Sequence, residues 1–162
     1  GGLTGVMEAP PRVLPPDASP RYKFKLPTHL EALGVDIDAA GGLGGVTEIR
    51  IAVADEDYAF ERDQVLLWTR IPGRRATPAI LGFLSDLAPI AVIKACGASG
   101  GGSSIDNTLR FAAGASDGEW LLAQIDPKFA VGGYASGSVY LWSESGRLLG
   151  TASQTSYVNV WD

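Results

Sequence analysis

The sequence has 162 residues, of which 46% are hydrophobic, and a chain of this size forms one globular core rather than two. Its 21 glycines lack the three-residue period of collagen, and a single cysteine excludes a disulfide framework. The net charge of −5, with scattered basic residues, argues against a nucleic-acid partner. One histidine and one cysteine leave few ligands for a transition metal, so neither a metal nor a cofactor is expected.

The same composition bears on the location of the protein in the cell. No uninterrupted apolar run approaches the length that crosses a bilayer, so no membrane span is expected. With a single free thiol and 19% charged residues, the composition predicts a soluble, cytoplasmic protein. The chain begins with Gly1-Gly2 rather than Met, which suggests a processed or trimmed part of something longer.

The N-terminal quarter of the chain is rich in proline and glycine. Six of the ten prolines lie within the first 27 residues, and proline pairs hold a chain extended. The following stretch ends in a glycine-rich run over 41–45, which allows no more than a short helical turn. We therefore predict a tail or interdomain linker over 1–45 and a folded domain over 46–162.

Two strands and a helix are predicted next. Partly alternating apolar and polar residues favour a strand over 46–53, and the mostly apolar run over 64–70 favours a second strand. Thr77-Pro78 is typical of a helix start, and apolar residues spaced three and four apart continue to about Ala95. Pro89 lies inside this pattern and is expected to kink or break the helix.

The last third of the chain is predicted to be sheet. Gly97 to Gly102 should form a flexible loop, because six residues contain four glycines. Four antiparallel strands then follow, of which the last two form a hairpin; their predicted ranges are 104–111, 119–126, 133–142 and 147–161. A sheet wrapped around one long helix buries the apolar faces of both, so we predict an α+β fold.

Few residues fit a common catalytic motif. The single histidine, His29, lies in the predicted linker and is badly placed for a Ser-His-Asp triad. Gly97 to Gly102 lacks the Lys-Ser/Thr ending of a phosphate-binding loop and leads into a strand. Cys96, at the end of the helix, is predicted to be a small core residue rather than a nucleophile.

Two polar residues lie on predicted strands where packing is expected. Asp106 stands near the start of one strand and Gln154 in the middle of the last. In one interpretation Asp106 caps a loop and Gln154 faces solvent. In the other, the carboxylate accepts a proton from a water molecule that the amide holds, and backbone N–H groups polarise an acyl carbonyl. The residues alone leave both interpretations open.

Several segments between residues 64 and 161 occur in the same order in a known family. They resemble the C-terminal half of acyl-CoA thioesterase II-type proteins, and the segments are Trp68-Thr-Arg70, Leu81-Gly-Phe-Leu-Ser-Asp86, Ser104-Ile-Asp-Asn-Thr-Leu-Arg-Phe111, Gly118-Glu-Trp-Leu-Leu122, Ser145-Gly-Arg-Leu-Leu149 and Thr151-Ala-Ser-Gln154. The resemblance implies the hotdog fold, a curved antiparallel sheet around one long helix. It also implies a two-domain chain, of which this sequence is the second half, and hydrolysis of fatty acyl-CoA thioesters.

The resemblance also implies site residues. The family's Asp falls on Asp106 and its Gln on Gln154. The family's Ser/Thr falls in the region 125–130, which has no hydroxyl residue here; Ser136 on the following strand is a possible substitute. The His-Arg-Pro that often follows the first of these strands is replaced by alanines and a glycine over 112–114.

The resemblance favours an acyl-CoA thioesterase with Asp106 as the base and Gln154 as the water-positioning or carbonyl-polarising amide. The acyl chain, carried by coenzyme A or by a carrier protein, would lie near Phe83 and Leu84. The alternative is a non-catalytic acyl-binding or structural hotdog subunit, which the unmatched Ser/Thr favours. A hydratase is a third interpretation, disfavoured by the position of His29. In each case we expect a second hotdog domain, from a homodimer or a missing N-terminal half, because a lone domain exposes a sheet edge and a helix face.

Overall fold

The computed structural model describes residues 10–22, 32–34, 42–53 and 64–161. Its centre is one sheet of six antiparallel strands in the order β1-β2-β4-β5-β6-β3. The strands are β1 (Glu48–Ile51), β2 (Val65–Arg70), β3 (Ser99–Phe111), β4 (Leu121–Val131), β5 (Tyr134–Ser143) and β6 (Leu148–Trp161). The helices are α1 (Gly42–Val46), α2 (Pro78–Leu84) and α3 (Ala88–Ala95), and a single 3-10 turn covers Pro16–Ala18. The predicted order of two strands, a helical segment and four antiparallel strands is confirmed.

The helical segment contains two helices where the sequence predicts one. Thr77 caps α2, since its Oγ1 accepts the N–H of Ile80 at 3.4 Å, and Pro78 follows at the first helical position. The helix ends at Leu84, and α3 begins at Ala88, after three intervening residues, with Pro89 in its first turn. Proline has no N–H to donate to the preceding turn, so the interruption falls before Pro89 rather than at it.

The helices pack on one face of the sheet and form the main core. Their apolar residues meet those of the inner face, and the fully buried members include Leu81, Leu84, Leu87, Leu121, Ile125, Val139, Leu141 and Leu149. A smaller cluster lies on the other face, around Trp68, Trp120 and Trp142. Residues of β2 alternate between the two clusters, as the pleat of a strand buried on both faces requires.

Part of the proline-rich N-terminal segment packs on the sheet. Tyr22 N–H donates to the carbonyl of Ile49 at 2.8 Å, and the N–H of Leu14 donates to the carbonyl of Ala52 at 2.9 Å. The indole Nε1 of Trp68 donates to the carbonyl of Leu14 at 2.7 Å, so the part of this segment around Leu14 lies against the tryptophan cluster. The division between a linker over 1–45 and a domain over 46–162 stays a prediction, and His29 lies outside the described residues.

The start of β3 corrects the sequence-based prediction of a loop over Gly97 to Gly102. The strand begins at Ser99 and pairs with β6 through Gly100 and Gly102. A Cβ on Gly100 would overlap the carbonyl oxygen of Asn159, and one on Gly102 would lie 3.0 Å from Cβ of Pro89. The glycines therefore permit a close approach between β3, β6 and α3. Strand β1 begins at Glu48, after α1, which is two residues later than the sequence predicts.

The segment Pro78–Ala95, which holds α2 and α3, is long and apolar enough to cross a membrane by length and composition, with a mean hydropathy of 1.5. Half of it is buried within this domain, and a core helix of a globular fold passes the same test. The absence of a membrane span stays a prediction.

Candidate functional site

The most buried polar side chain that the sequence singled out lies where β6 passes the junction between α2 and α3. Gln154 is only 2% exposed. Its Nε2 donates to Oδ1 of Asp86, in the three-residue junction, and to Oγ of Ser104 on β3 at 2.7 Å. The Ser104 hydroxyl in turn donates to the same Asp86 oxygen at 2.7 Å. Three elements therefore converge on one amide.

The oxygen of the Gln154 amide differs from its nitrogen in having no hydrogen-bond partner among the described residues. Oε1 of Gln154 is buried and accepts no hydrogen bond from the described residues. A buried acceptor without a partner costs about 1–3 kcal/mol. Folding therefore leaves an acceptor without a partner inside the domain, and a water molecule or a donor group of a ligand reaches it only when neighbouring side chains move.

A second polar contact ties the same junction to β3. Ser85 Oγ donates to the carbonyl of Gly82 at 2.8 Å and accepts from Nδ2 of Asn107 at 3.0 Å. Asn107 is the register partner of Gln154. Both strands that line the junction are thus held to it by side chains as well as by packing.

Asp106 lies at an irregularity in β3. The register shifts between Ser104 and Asp106, so that residues 105 and 106 face the single residue Thr155. Asp106 is exposed, and its Oδ1 accepts the N–H of Thr155 at 3.2 Å, which places the carboxylate against the peptide bond after Gln154. Thr155 lies between Gln154 and Ser156, which both point to the helical face, so Asp106 occupies the opposite face.

The other residues named from the sequence occupy different surroundings. Phe83 is 39% exposed, whereas Leu84 is fully buried in the domain's own core. Ser136 Oγ donates to the main-chain oxygen of Gln154 at 2.9 Å, so this hydroxyl is engaged with the backbone of β6.

Cys96 is exposed, which corrects its prediction as a core residue. It follows the last turn of α3, three residues before β3 begins, and lines an open groove of about 280 Å³. The opposite wall of the groove is residues 127–130 of β4, part of the region in which the family's Ser/Thr is missing. Among the residues described, no three His, Cys, Asp or Glu side chains cluster closely enough to hold a metal.

A family model described as the acyl-CoA thioesterase C-terminal domain matches residues 16–158, nearly the whole sequence. The chain belongs to this family. The acyl-CoA thioesterase resemblance of the sequence is therefore confirmed, and so is the α+β hotdog fold.

Solved structures agree with this membership. A candidate thioesterase from Novosphingobium aromaticivorans superposes with a TM-score of 0.71 at 30% identity, over 97% of this chain and 56% of that one. A hotdog-fold protein from Alicyclobacillus acidocaldarius gives 0.71 at 19% identity, over 98% and 58%. An acyl-CoA thioesterase II of Mycobacterium marinum gives 0.61 at 20% identity, over 99% and 59%. The chain thus spans little more than half the length of these relatives. A search of curated proteins finds no significant match.

Asp86 and Ser104 are the residues of this thioesterase-family domain that sequence reasoning missed. Both stand inside segments that carry the family resemblance, but neither received a role. The available signal was the polar pair Ser85-Asp86 in the middle of an apolar helical pattern. Polar residues at such a position indicate either the end of a helix or a buried polar contact, and here both are present.

Proposed function

We propose that this chain hydrolyses acyl-CoA thioesters with a water molecule that Gln154 positions. The family membership supports the reaction class. One observation carries the assignment: the buried Gln154 amide keeps a free oxygen while Asp86 and Ser104 bind its nitrogen. Such an acceptor fixes a water molecule by one of its hydrogens, and hydrolysis in this way needs neither histidine nor a metal.

Asp106 is the general base in this proposal, which requires the bulge at residues 105 and 106 to turn its carboxylate from the opposite face of the sheet towards the water that Gln154 holds. The water oxygen attacks the thioester carbonyl carbon as its proton passes to the Asp106 carboxylate. The C–S bond then breaks, and the same proton goes to the leaving sulfur of coenzyme A. The site is supported by the position of Asp106, whose carboxylate lies against the peptide bond after Gln154 at an exposed edge strand. The acyl chain is proposed to lie near Phe83, with Leu84 supporting that wall from within the core.

A second hotdog domain is proposed to complete the site. Strand β3 ends the described sheet, so its outer edge has no neighbouring strand among the described residues. Ile105 and Phe111 on this strand are 58% and 54% exposed. A long edge strand with exposed apolar residues favours pairing with another domain. That the chain spans little more than half the length of its relatives is consistent with such a partner.

A non-catalytic acyl-binding or structural subunit is the second candidate function. Two observations favour it: residues 125–130 contain no hydroxyl, and the substitute Ser136 already donates its hydrogen to the backbone of β6. Such a protein would bind acyl-CoA without releasing the thiol.

Thiol release from acyl-CoAs that range from acetyl to palmitoyl tests the proposal on the wild-type chain and on Asp106→Asn and Gln154→Ala. We expect each substitution to lower kcat by about 10²-fold or more, because proton transfer by a positioned group contributes at least that much. Asp117→Asn is the matched control, since this exposed carboxylate also accepts a serine hydroxyl at 2.7 Å, in a loop distant from Gln154.

Two outcomes would contradict the assignment. A wild-type rate in Asp106→Asn would remove Asp106 as the base. No thiol release by the wild-type chain from any acyl-CoA, with binding detected by calorimetric titration, would establish the acyl-binding alternative.

A further inference from the structure

The reaction proposed above gives no role to the carboxylate of Asp86. It stands in the turn between α2 and α3, is half-buried, and accepts hydrogen bonds from Gln154 Nε2 and Ser104 Oγ. These contacts join a helix junction, an edge strand and a buried strand at a single oxygen atom.

The hydrogen-bonding capacity of the cluster allows one orientation of the Gln154 amide. A carboxylate only accepts, so the amide must present its NH2 group to Asp86. Ser104 has one hydroxyl hydrogen and donates it to Asp86, so towards Gln154 it also acts as an acceptor. If the amide were reversed, Oε1 would lie against two acceptor oxygens, and like partial charges would repel.

We propose that Asp86, assisted by Ser104, is a positioning residue that fixes the Gln154 amide with its oxygen towards the reacting water. The inference rests on the proposed thioesterase function and decides between two roles for Gln154. An amide held in this way orients water through Oε1, whereas polarising the thioester carbonyl would require its NH2 group, which Asp86 and Ser104 occupy.

The free oxygen separates this interpretation from a purely structural contact. A cluster that served only to join helix and sheet would satisfy both ends of the Gln154 amide, as most buried polar groups are satisfied. Here the NH2 end has two acceptors and the oxygen has no partner among the described residues.

A double-mutant cycle between Asp86 and Gln154 tests the proposal in the full chain. We expect Asp86→Ala to lower kcat by about 10²-fold with KM nearly unchanged, because a small misplacement of a positioning group costs a factor of this size. In the Gln154→Ala background the same substitution should change kcat by less than about threefold, since residues that act as a unit are not additive. Asp117→Asn should leave kcat unchanged in both backgrounds. Equal losses from Asp86→Ala in both backgrounds would overturn the proposal.

Asp86→Asn provides an isosteric variant should Asp86→Ala fail to fold. Asparagine presents either a donor or an acceptor, so the Gln154 amide is no longer held in one orientation. We expect faster exchange of the Gln154 side-chain NH2 hydrogens, measured by ¹⁵N NMR, than in Asp117→Asn. Unchanged exchange would overturn the positioning role. This measurement does not depend on hydrolysis, so an inactive wild-type chain would refute the proposed function while the exchange rates still decided the orientation.

Discussion

At the scale of single residues, the strongest charge cluster holds the beginning of the sheet together. Glu48 on β1 receives 2.7 Å contacts from Arg50 and Arg70, one on each carboxylate oxygen. The two guanidinium groups also lie over the ring of Trp120, 5.1 and 4.4 Å from its centroid. Both arginines therefore bridge an acid and an aromatic face, an arrangement that suits the planar guanidinium.

The pKa of Glu48 determines how this cluster responds to pH. Partial burial raises it, but hydrogen bonds from Arg70 and Arg50 outweigh the burial, so the pKa lies below its ordinary value of 4.5. Because the pKa is lowered on folding, the stabilisation is complete above the unfolded pKa and is lost as the pH falls through the folded pKa.

We predict that Glu48→Gln lowers the free energy of unfolding by about 1 kcal/mol at neutral pH, a value kept small because the pair is partly exposed. The difference from wild type should shrink as the pH falls below about 4.5, since the wild-type carboxyl then protonates too. Urea denaturation at several pH values measures this. Glu144→Gln, an exposed residue in the β5–β6 turn, is the matched control. A difference that stayed constant down to pH 3, roughly one unit below the model-peptide value, would contradict the assignment.

At the scale of the elements, the helical segment shows how a local break creates a functional position. The sequence predicts one helix with a kink at Pro89, and its apolar spacing indicates the correct buried face. The regular α-helix is instead interrupted by a turn over residues 85–87. This interruption directs Asp86 towards Gln154, a contact between residues far apart in sequence that local periodicity does not encode.

The glycines of β3 are the second case in which packing decides the structure. Isolated from its neighbours, Gly97 to Gly102 has the composition of a loop. In the fold, Gly100 instead pairs with Val160 on β6. A Cβ added to Gly100 would lie 3.2 Å from Cγ2 of Ile93 on α3. Only a residue without a side chain fits between the strand and the helix.

We predict that Gly100→Ala lowers the free energy of unfolding by about 1–3 kcal/mol, the usual cost of overpacking. The added Cβ would overlap the carbonyl oxygen of Asn159, so β3 and β6 must separate. Chemical denaturation measures the effect. Gly114→Ala is the control, because nothing lies within 4 Å of its added Cβ. Equal stability of the two variants would show that β3 does not pack here as described.

At the scale of the whole molecule, the β3 edge of the sheet is available for pairing with another domain. The thirteen residues of β3 end the described sheet, and Ile105 stands exposed at its bulge. Antiparallel pairing of this edge with a second copy would satisfy the free backbone groups and cover the apolar side chains.

We predict that the chain is a dimer at micromolar concentration, with twice the 16.9 kDa mass of one copy. Ile105→Lys should shift the equilibrium towards monomer, because it places a charge on the paired edge. Light scattering after gel filtration measures both masses. Val46→Lys, an exposed apolar position on α1, should leave the dimer intact. A wild-type monomer at this concentration would exclude self-association, and the second domain would then come from a missing N-terminal half or from another protein.

The sequence by itself determined the features that depend on neighbouring residues. Apolar periodicity gave the order of strands and helix along the chain, the buried helix face and the α+β class, and ordered motifs gave the family. Asp106 and Gln154 were found because each is a polar residue inside such a pattern, although their roles stay predictions.

Only the tertiary structure decided what surrounds those residues. It placed Asp106 against the peptide bond after Gln154, buried Leu84, exposed Cys96 and supplied Asp86 as the partner of the Gln154 amide. The physical reason is common to all four. Burial, hydrogen bonding and steric fit depend on atoms from distant parts of the chain, and those atoms come together only when the sheet and helices pack.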